Sequence, residues 1–406
     1  MPKRSLFAQD DVYSRSIPRQ AGPRVAHPAA TYDFGVAYPD PGSLPLAELA
    51  EGLRAGLEEE GRDLAKYPHP SGYPPLREYV AEKLAGDRGL SVSPRDIILG
   101  DGSSQPNHMI IEALVNPGEV VLTEEFTYPG TLGILRRFGA DIRGVACDQE
   151  GFLPDALEGA IRSACGEGKR VKLIYTIPTF QNPLGWVMSL ERRQHLLETA
   201  QRHGIAILED DCYVDLRFEG EPVPAIASLD TDGVVVYVGS FSKIIGPGVR
   251  LGYLAGPSPL LDRISAIKSG GGVSQLGALA IHRYAVTHLE EHIRSANRIL
   301  SRKRDAMLAG LAEGFGDRSD TGASWSRPRG GLFIWLTLAP AVDMQAVADR
   351  ALREGIIIFP GIRLSPEGNS GHNCARLCFG YDPPRVIREG MALLAGICRR
   401  ETVVSV

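Results

Sequence analysis

The chain has 406 residues, which is enough for a sizeable core and for two unequal domains. Its 43% hydrophobic and 23% charged residues are ordinary for a soluble enzyme, and a formal charge of −5 offers no electrostatic basis for binding nucleic acid or an anionic membrane. No apolar run approaches a transmembrane helix in length, and the first residues, MPKRSLFAQDDVYSR, lack the apolar core of a signal peptide. The six cysteines form neither a disulfide framework nor a metal-site pattern, so the composition predicts a cytoplasmic protein with reduced thiols.

The predicted elements begin with an N-terminal arm. Residues 1–45 are rich in Pro, Arg and Gly and show no periodicity, which indicates an extended segment that lies on its own domain or on a partner subunit. Helical patterning follows from Leu46 to Gly61, then a proline-rich loop that contains Tyr67, and then a helix from about Leu76 to Leu84.

Strand-like and helix-like segments alternate from Asp96 to Tyr253. The predicted strands are Ile97–Leu99, Val120–Thr123, Asp141–Val145, Val171–Thr176, Ile205–Glu209 and Val234–Val238, and the predicted helices between them include Gln105–Val115, Thr131–Phe138 and Leu190–His203. Alternation of helices with nearly continuous apolar strands favours an α/β fold with a doubly wound, mostly parallel sheet.

The remainder of the chain predicts a smaller α+β domain. A helical stretch from about Ser274 to Leu311 leads into it, and its predicted elements are the strands Leu332–Leu336, Ile356–Phe359 and Cys374–Phe379 and the helices Met344–Arg353 and Pro384–Arg399. We therefore predict an arm over residues 1–45, a large domain over 46–290, and a small C-terminal domain over 291–406 that is joined by the arm.

The stretch VVVYVGSFSKIIGPGVRLGY, residues 234–253, places a lysine just beyond a buried strand. Lys243 lies between the hydroxyls of Ser240 and Ser242 and a glycine-rich loop that leads to Arg250. A lysine in this setting is suited to a Schiff base beside a phosphate, although an isolated SxK is more often a surface lysine in a Gly/Pro loop.

Polar residues also follow the other predicted strands, and the carboxyl ends of parallel strands meet at one edge of a sheet. Ser103 and Ser104 precede a helix, where they form either an anion site or an ordinary N-cap. Tyr128 is able to stack on a planar ring or simply to pack, and Asn182 either donates to a ring oxygen or shapes its loop. Asp210 is suited to a protonated ring nitrogen or to a metal ion.

Together these groups match the requirements of pyridoxal 5′-phosphate (PLP). That cofactor needs a lysine for its aldehyde, a carboxylate for its ring nitrogen, an anion site for its phosphate, donors to its phenolic oxygen and a stacking partner. The chain supplies each of them at the ends of successive strands, so the pattern predicts PLP as cofactor and no metal.

The sequence resembles the fold-type I PLP enzymes of the aspartate aminotransferase superfamily, in the class I/II branch. It is similar to the aminoadipate/kynurenine-type aminotransferases and to the aminotransferase-like effector domains of MocR regulators. The resemblance covers roughly residues 65–380 and is carried by YPHPSGYPPLREYVAEKL, GDGSSQ, PTFQNPLG, ILEDDCYVDLRF, VGSFSKIIGPGVRLGY and CARLCFGY.

The resemblance implies a role for each matching position. Lys243 bonds the cofactor and later moves the substrate proton, Asp210 faces the pyridine nitrogen, and Tyr128 stacks on the ring. Asn182 and Tyr213 contact the phenolic oxygen. The phosphate is bound by Ser103, Ser104, Ser240, Ser242 and Arg250, with Tyr67 reaching the phosphate of the other subunit of a homodimer. Arg376 binds the substrate α-carboxylate beside Asn182, and Gly35 lies where the family closes over the substrate.

The implied activity is amino-group transfer between an L-α-amino acid and a 2-oxo acid. One alternative within PLP chemistry is an elimination, γ-replacement, carbon–carbon bond-forming or oxidative reaction, since such enzymes keep the same cofactor residues. A second alternative is a non-catalytic ligand sensor, against which stands the expectation that no DNA-binding domain precedes the arm.

Two departures concern the substrate. The segment Ser269-Gly270-Gly271-Gly272-Val273-Ser274 is unusually rich in glycine, which suggests either a widened pocket for a large substrate or only a flexible connection. No second arginine for an ω-carboxylate is evident, which disfavours aspartate or glutamate as donor.

Overall fold

The computed structural model describes residues 12–14, 30–316 and 321–404, so most of the predicted arm, residues 1–11 and 15–29, lies outside the described residues. The helices are α1 (Leu46–Glu60), α2 (Pro74–Arg88), α3 (Ser104–Leu114), α4 (Pro129–Arg137), α5 (Pro154–Gly166), α6 (Leu190–His203), α7 (Ile226–Leu229), α8 (Ser258–Ile267), α9 (Gln275–Phe315), α10 (Met344–Arg353) and α11 (Pro384–Val404). The strands are β1 (Tyr32–Asp33), β2 (Ile97–Gly100), β3 (Val120–Glu124), β4 (Asp141–Val145), β5 (Cys147–Asp148), β6 (Gly151–Phe152), β7 (Val171–Thr176), β8 (Ala206–Asp210), β9 (Val235–Ser240), β10 (Gly252–Ala255), β11 (Ser324–Trp325), β12 (Phe333–Thr337), β13 (Ile356–Ile357), β14 (Phe359–Pro360) and β15 (Cys374–Cys378).

A seven-stranded sheet in the order β2-β10-β9-β8-β7-β3-β4 forms the centre of the large domain. The pairs from β9 through β4 are parallel. Strands β2 and β3 are buried along their whole length because helices cover both faces of the sheet, which explains the apolar runs Ile97–Leu99 and Val120–Leu122 in the sequence. The predicted doubly wound, mostly parallel sheet is confirmed.

Strand β10 is absent from the sequence prediction. It runs antiparallel to both of its neighbours, with Gly252 opposite Ser240 on β9 and opposite Gly100 on β2. The chain reverses between Phe241 and Leu251 instead of crossing over through a helix, and this reversal is the loop that carries Lys243.

The small domain is built on an antiparallel sheet in the order β11-β12-β15-β14. The prediction of one strand over Ile356–Phe359 is wrong, because the segment divides into β13 and β14, which pair with different strands. Residue Ile358 between them is 6% exposed and belongs to the small-domain core.

Helix α9 is 41 residues long and contributes to two hydrophobic cores. Its residues from Ala278 to Leu300 pack in the core of the large sheet, and those from Ala306 to Phe315 pack with the small sheet and α11. The change from one core to the other falls some 10 residues beyond residue 290, where the sequence predicts the domain boundary. The predicted domain division stays a prediction. Despite its length α9 is too polar to span a bilayer, and the same holds for the other helices of the described residues.

The described end of the arm is fixed to the small domain. Strand β1 pairs in parallel with β13, and Phe34 is fully buried in the small-domain core. The buried amine of Lys303 on α9 binds the carboxylate of Asp40 and donates to the carbonyls of Gly380 and Tyr381. The arm therefore reaches the edge of the large sheet in a defined position.

Candidate active site

The carboxyl ends of the parallel strands open onto a cavity of about 260 Å³ between the two domains and the arm. Eleven of the residues predicted from the sequence line it: Gly35, Ser103, Ser104, Tyr128, Asn182, Asp210, Tyr213, Ser242, Lys243, Arg250 and Arg376.

Asp210 ends β8 and is 2% exposed. Its Oδ2 accepts hydrogen bonds from Asn107 Nδ2 at 2.8 Å and from the Tyr175 hydroxyl at 2.9 Å. Its Oδ1 has no hydrogen-bond partner among the described residues, although it is buried. Since a buried carboxylate oxygen is costly to leave unpaired, the geometry leaves room for one more donor, such as a protonated ring nitrogen.

The protonation state of Asp210 depends on the groups that contact its carboxylate. Burial raises the pKa of Asp210, and the interactions with Asn107, Tyr175 and the Cys212 thiol oppose the shift. A cationic N–H at Oδ1 stabilises the ionised form further, because an opposite charge at close range lowers the pKa of a carboxyl.

Lys243 follows β9 and extends into the cavity with its amine 3.1 Å from the Ala37 carbonyl of the arm, to which it donates. Burial lowers the pKa of Lys243, and the nearby guanidinium of Arg376 acts in the same direction. The amine is thus closer to its neutral, nucleophilic form than a lysine in water.

One end of the cavity is suited to a phosphate. Ser103 and Ser104 lie at the N-terminus of α3, and Ser242 and Arg250 lie opposite on the Lys243 loop. Gly102 has φ +65°, and a Cβ at this position would lie 2.7 Å from Arg250 Nη2. Glycine therefore lets the guanidinium close the phosphate end, where it now pairs with Asp101 at 3.1 Å.

Tyr128 caps α4 and presents its ring to the cavity. A Cβ at Gly130 would lie 2.5 Å from the Tyr128 ring, so glycine at this position lets the ring adopt its orientation without a clash. Burial raises the pKa of Tyr128, while a hydrogen bond from Ser104 opposes the shift. The neutral, hydrogen-bonded ring is suited to stacking on a planar cofactor.

A chain of hydrogen bonds crosses the cavity from the large domain to the small domain. Asn182 Nδ2 donates to the Tyr213 hydroxyl at 3.1 Å, and Arg376 Nη1 donates to Asn182 Oδ1 at 3.0 Å. Arg376 Nη2 donates to the Gly35 carbonyl at 2.6 Å, which connects the arm to the same guanidinium.

Arg376 lies between two aromatic rings on the small sheet. Its guanidinium carbon is 4.8 Å from the ring centroid of Phe333 and 4.6 Å from that of Phe359. Burial lowers the pKa of Arg376, but guanidinium remains charged in proteins. Its Nε is buried without a hydrogen-bond partner among the described residues. A buried cation with a free donor is suited to an incoming carboxylate.

Two predicted residues do not line this cavity. Ser240 lies behind Ser242, whose backbone N–H it accepts at 3.1 Å. Tyr67 is 98% exposed on the surface of its own chain.

The class I and II aminotransferase family model matches residues 37–386. The chain is 33% identical to aromatic-amino-acid aminotransferase 1 of Thermococcus litoralis over 370 residues, which cover 89% of this chain and 87% of that protein. The chain belongs to the class I and II aminotransferases.

Other similar proteins include a regulator and two solved enzymes. The uncharacterized HTH-type transcriptional regulator YisV of Bacillus subtilis is 32% identical, over 82% of this chain and 67% of that protein. The multiple substrate aminotransferase of Thermococcus profundus has a TM-score of 0.90 at 29% identity, with 97% of this chain and 99% of that chain covered. The α-aminoadipate aminotransferase LysN of Thermus thermophilus, complexed with N-(5′-phosphopyridoxyl)-L-leucine, has a TM-score of 0.85 at 28% identity, with 92% and 93% covered.

The cofactor of this aminotransferase is therefore PLP, as predicted. The residues present fit it: Asp210 keeps one oxygen free for a ring nitrogen, Lys243 supplies a partly buried amine of lowered pKa, and the end of the cavity at Arg250 supplies cationic and hydroxyl donors.

Sequence reasoning missed two side chains that this aminotransferase places on Asp210. Asn107 lies one turn inside α3, and Tyr175 lies within β7. Neither residue stands at a strand end. The available signal was a polar side chain within an apolar element, since a buried amide or hydroxyl requires a partner.

Proposed function

We propose that this PLP-dependent aminotransferase takes the amino group from an L-α-amino acid and gives it to a 2-oxo acid, using Lys243, Asp210 and Arg376 as predicted. The observation that carries the proposal is a single cavity lined by a carboxylate with one free oxygen, a partly buried amine and a buried guanidinium.

When bound, PLP supplies an aldehyde that bonds amino groups and a ring that withdraws electrons from the substrate Cα. Asn107 and Tyr175 fix the Asp210 carboxylate through Oδ2, and its free Oδ1 would accept the proton of the ring nitrogen. Asp210 would thereby keep that nitrogen protonated, the state in which the ring withdraws electrons most strongly.

Lys243 would serve as the base that takes the proton from the substrate Cα and, once protonated, as the acid that gives a proton back. Its lowered pKa supports this role, because a general base works best when its pKa approaches the working pH. Lys243 also lies at the arm, whose Ala37 carbonyl orients the amine.

Arg376 binds the substrate α-carboxylate and so decides which bond of Cα is presented to the ring. Its hydrogen bonds to Asn182 and Gly35 hold the guanidinium in one orientation. The cations that line the cavity in the described residues are Lys243, Arg250 and Arg376, and each has a role already. This supports donors whose side chains lack an ω-carboxylate.

A homodimer with Tyr67 at the phosphate of the other subunit belongs to the same proposal. Tyr67 has almost its full surface exposed and lies outside its own cavity, which is the arrangement expected of a residue that acts on a second copy. A cytoplasmic location is supported by the six free thiols.

The glycine segment offers no support for elimination, replacement, bond-forming or oxidative chemistry. Residues 269–274 are not among those that line the cavity, so they do not widen it within the described chain.

The proposal is tested by a single half-reaction. Holoenzyme without acceptor is mixed with an excess of one L-amino acid after another. The expected result is one equivalent of 2-oxo acid per Lys243, conversion of the cofactor to its pyridoxamine form, and no free ammonia. Continuous release of ammonia would establish elimination or oxidative deamination instead, and a complete absence of product with every amino acid would favour the sensor. The variant Lys243→Ala is the control and is expected to form no product.

A further inference from the structure

Tyr67 begins a loop whose backbone is held by hydrogen bonds, although the tyrosine itself is almost fully exposed. The Tyr67 loop, residues 67–72, has prolines at positions 68 and 70, and the Gly72 N–H donates to the His69 carbonyl at 2.7 Å. The Leu99 N–H of edge strand β2 donates to the Ser71 carbonyl at 2.9 Å. Rigid backbone under a side chain that is 98% exposed indicates that the side chain is held ready for another molecule.

The glycine segment, residues 269–274, supports this loop. Lys268 Nζ donates to the Pro70 carbonyl at 2.6 Å and to the Gly271 carbonyl at 2.5 Å, so one ammonium joins the two segments. A Cβ at Gly272 would overlap the His69 carbonyl and lie 3.0 Å from Pro68 Cβ.

The other two glycines have a backbone reason of their own. Gly270 and Gly271 have φ of +83° and +79°, a backbone conformation that residues other than glycine adopt with strain. These angles turn the chain so that the Gly271 carbonyl reaches the Lys268 amine. The three glycines are thus explained by the contact between the two segments.

We propose that Lys268 and Gly272 are positioning residues, which fix the Tyr67 loop so that Tyr67 reaches the cofactor phosphate bound by a second copy of this chain. The inference rests on the function and the dimer proposed above. It assigns the glycine segment to cofactor binding across the interface and not to the width of the substrate pocket.

The first test measures the dissociation constant of PLP. Tyr67→Phe removes one hydrogen bond to a charged group and is expected to raise the constant about tenfold. Lys268→Met and Gly272→Ala are expected to raise it by a smaller factor, about threefold to tenfold, while Lys268→Arg restores most of the affinity. Lys66→Met is the matched control, because Lys66 adjoins Tyr67 but, within the described part of the chain, forms an ion pair with exposed Asp63 alone. It is expected to bind PLP like the wild type.

The decisive test uses hybrid dimers that carry two different affinity tags. In the first hybrid, a Lys268→Met chain is paired with a Lys243→Ala chain. The sole intact Lys243 then receives Tyr67 from a chain with a normal loop, and wild-type affinity is expected at that site. In the second hybrid, a chain with both substitutions is paired with a wild-type chain. The sole intact Lys243 now faces the altered loop, and weak binding is expected.

Weak PLP binding in the first hybrid and normal binding in the second would overturn the inference, because a purely local effect of Lys268 stays with its own chain. Equal weakening of PLP binding in both hybrids would also overturn it. Gly272→Ala in the same two hybrids provides a second, independent reading. A wild-type protein that is monomeric or that binds no PLP would instead contradict the proposed function, so the two failures are distinguishable.

Discussion

Asp210 and Asp211 are adjacent carboxylates with different surroundings. Asp210 is held by neutral donors and keeps one oxygen free toward the cavity. Asp211 faces away and forms a fully buried ion pair with Arg88 at 2.7 Å, to which the Tyr237 hydroxyl adds a hydrogen bond at 3.2 Å. Neighbouring residues at one strand end point to opposite faces of the sheet, so Asp210 is available to the proposed cofactor site while Asp211 stabilises the fold.

We expect Asp210→Asn and Asp211→Asn to separate activity from stability. Asp210→Asn removes the charge that holds the ring proton and should lower kcat on the order of 10²–10³-fold, with little loss of folding free energy. Asp211→Asn leaves Arg88 buried without its counter-charge and should cost about 3 kcal/mol of unfolding free energy. Steady-state kinetics and urea unfolding of both variants check this. A stable, fully active Asp210→Asn would contradict the assignment.

Glu124 is a second buried carboxyl near the cavity, at the end of β3. It accepts hydrogen bonds from the hydroxyls of Thr127 and Thr176 at 2.9 and 2.8 Å and from the Ile177 N–H at 2.7 Å. It thus joins the segment that precedes Tyr128 to the end of β7. Burial raises the pKa of Glu124 to about 7 in spite of these donors.

The raised pKa predicts a pH-dependent stability with a definite sign. The folded state holds the Glu124 proton up to about pH 7, whereas the unfolded chain releases it near its ordinary pKa of 4.5. Stability from this group is full below pH 4.5 and is lost as the pH rises to 7. Relative to Glu124→Gln, the wild type should lose roughly 2–3 kcal/mol of unfolding free energy over that interval. Urea unfolding of both proteins at several pH values measures the difference, and a difference independent of pH would contradict the prediction.

Residues of the site were predictable from the sequence where they lie at the end of a buried strand. Lys243, Asp210, Ser103 and Asn182 follow buried strands, and parallel strands bring such ends together. Asn107 was not predictable in this way, because only the packing of α3 against β8 reveals that its amide meets a carboxylate.

At the scale of elements, α9 and α11 pack closely because glycines face the contact. A Cβ at Gly310 would lie 2.9 Å from Met391 Cβ, and one at Gly314 would lie 2.9 Å from Ala395 Cβ. Glycine within a helix is normally unfavourable. Gly310 and Gly314 therefore lower the helix propensity of α9, but they allow α11 to approach it closely.

Gly310→Ala and Gly86→Ala should therefore have opposite effects. Both glycines lie within helices, but Gly86 on α2 is exposed and a Cβ there meets no atom within 4 Å. Gly86→Ala should stabilise the protein by about 0.5–1 kcal/mol through reduced chain entropy. Gly310→Ala should destabilise it by about 1–3 kcal/mol through overpacking. Chemical unfolding gives both values, and stabilisation by Gly310→Ala would show that the helices separate easily.

Most elements with a regular apolar pattern were predicted well, whereas β10 and the division between β13 and β14 were not. The strand Val171–Thr176 was predicted with its observed bounds. Strand β10 was missed because four residues that begin with Gly252 carry little periodicity, and its direction is set by the Lys243 loop. The split between β13 and β14 depends on which strands stand on either side, which is a property of the assembled sheet.

At the scale of the molecule, the guanidinium of Arg376 joins three parts of the chain. Arg376 belongs to β15 of the small domain, Asn182 to the large domain, and Gly35 to the arm. The group that we propose to bind the substrate α-carboxylate thus also holds the cavity walls together.

Arg376→Ala should raise the KM for any amino-acid substrate about 100-fold or more, because the α-carboxylate loses its paired donors. Arg376→Lys should have an intermediate KM, since an ammonium keeps the charge but not the forked geometry. The measurement is KM against kcat, with PLP affinity as the control that should change little. An unchanged KM in Arg376→Ala would place the carboxylate elsewhere.

The two cores share helix α9, and this has a consequence for dividing the chain. A cut near residue 290 separates Leu289 from Leu300, which pack in the same core. Each fragment would then expose an apolar stripe whose partner stayed with the other piece, and such stripes promote aggregation. A minimal fragment of this enzyme that binds the cofactor must therefore extend through α9 to Phe315, and by then it already carries part of the small domain's interior.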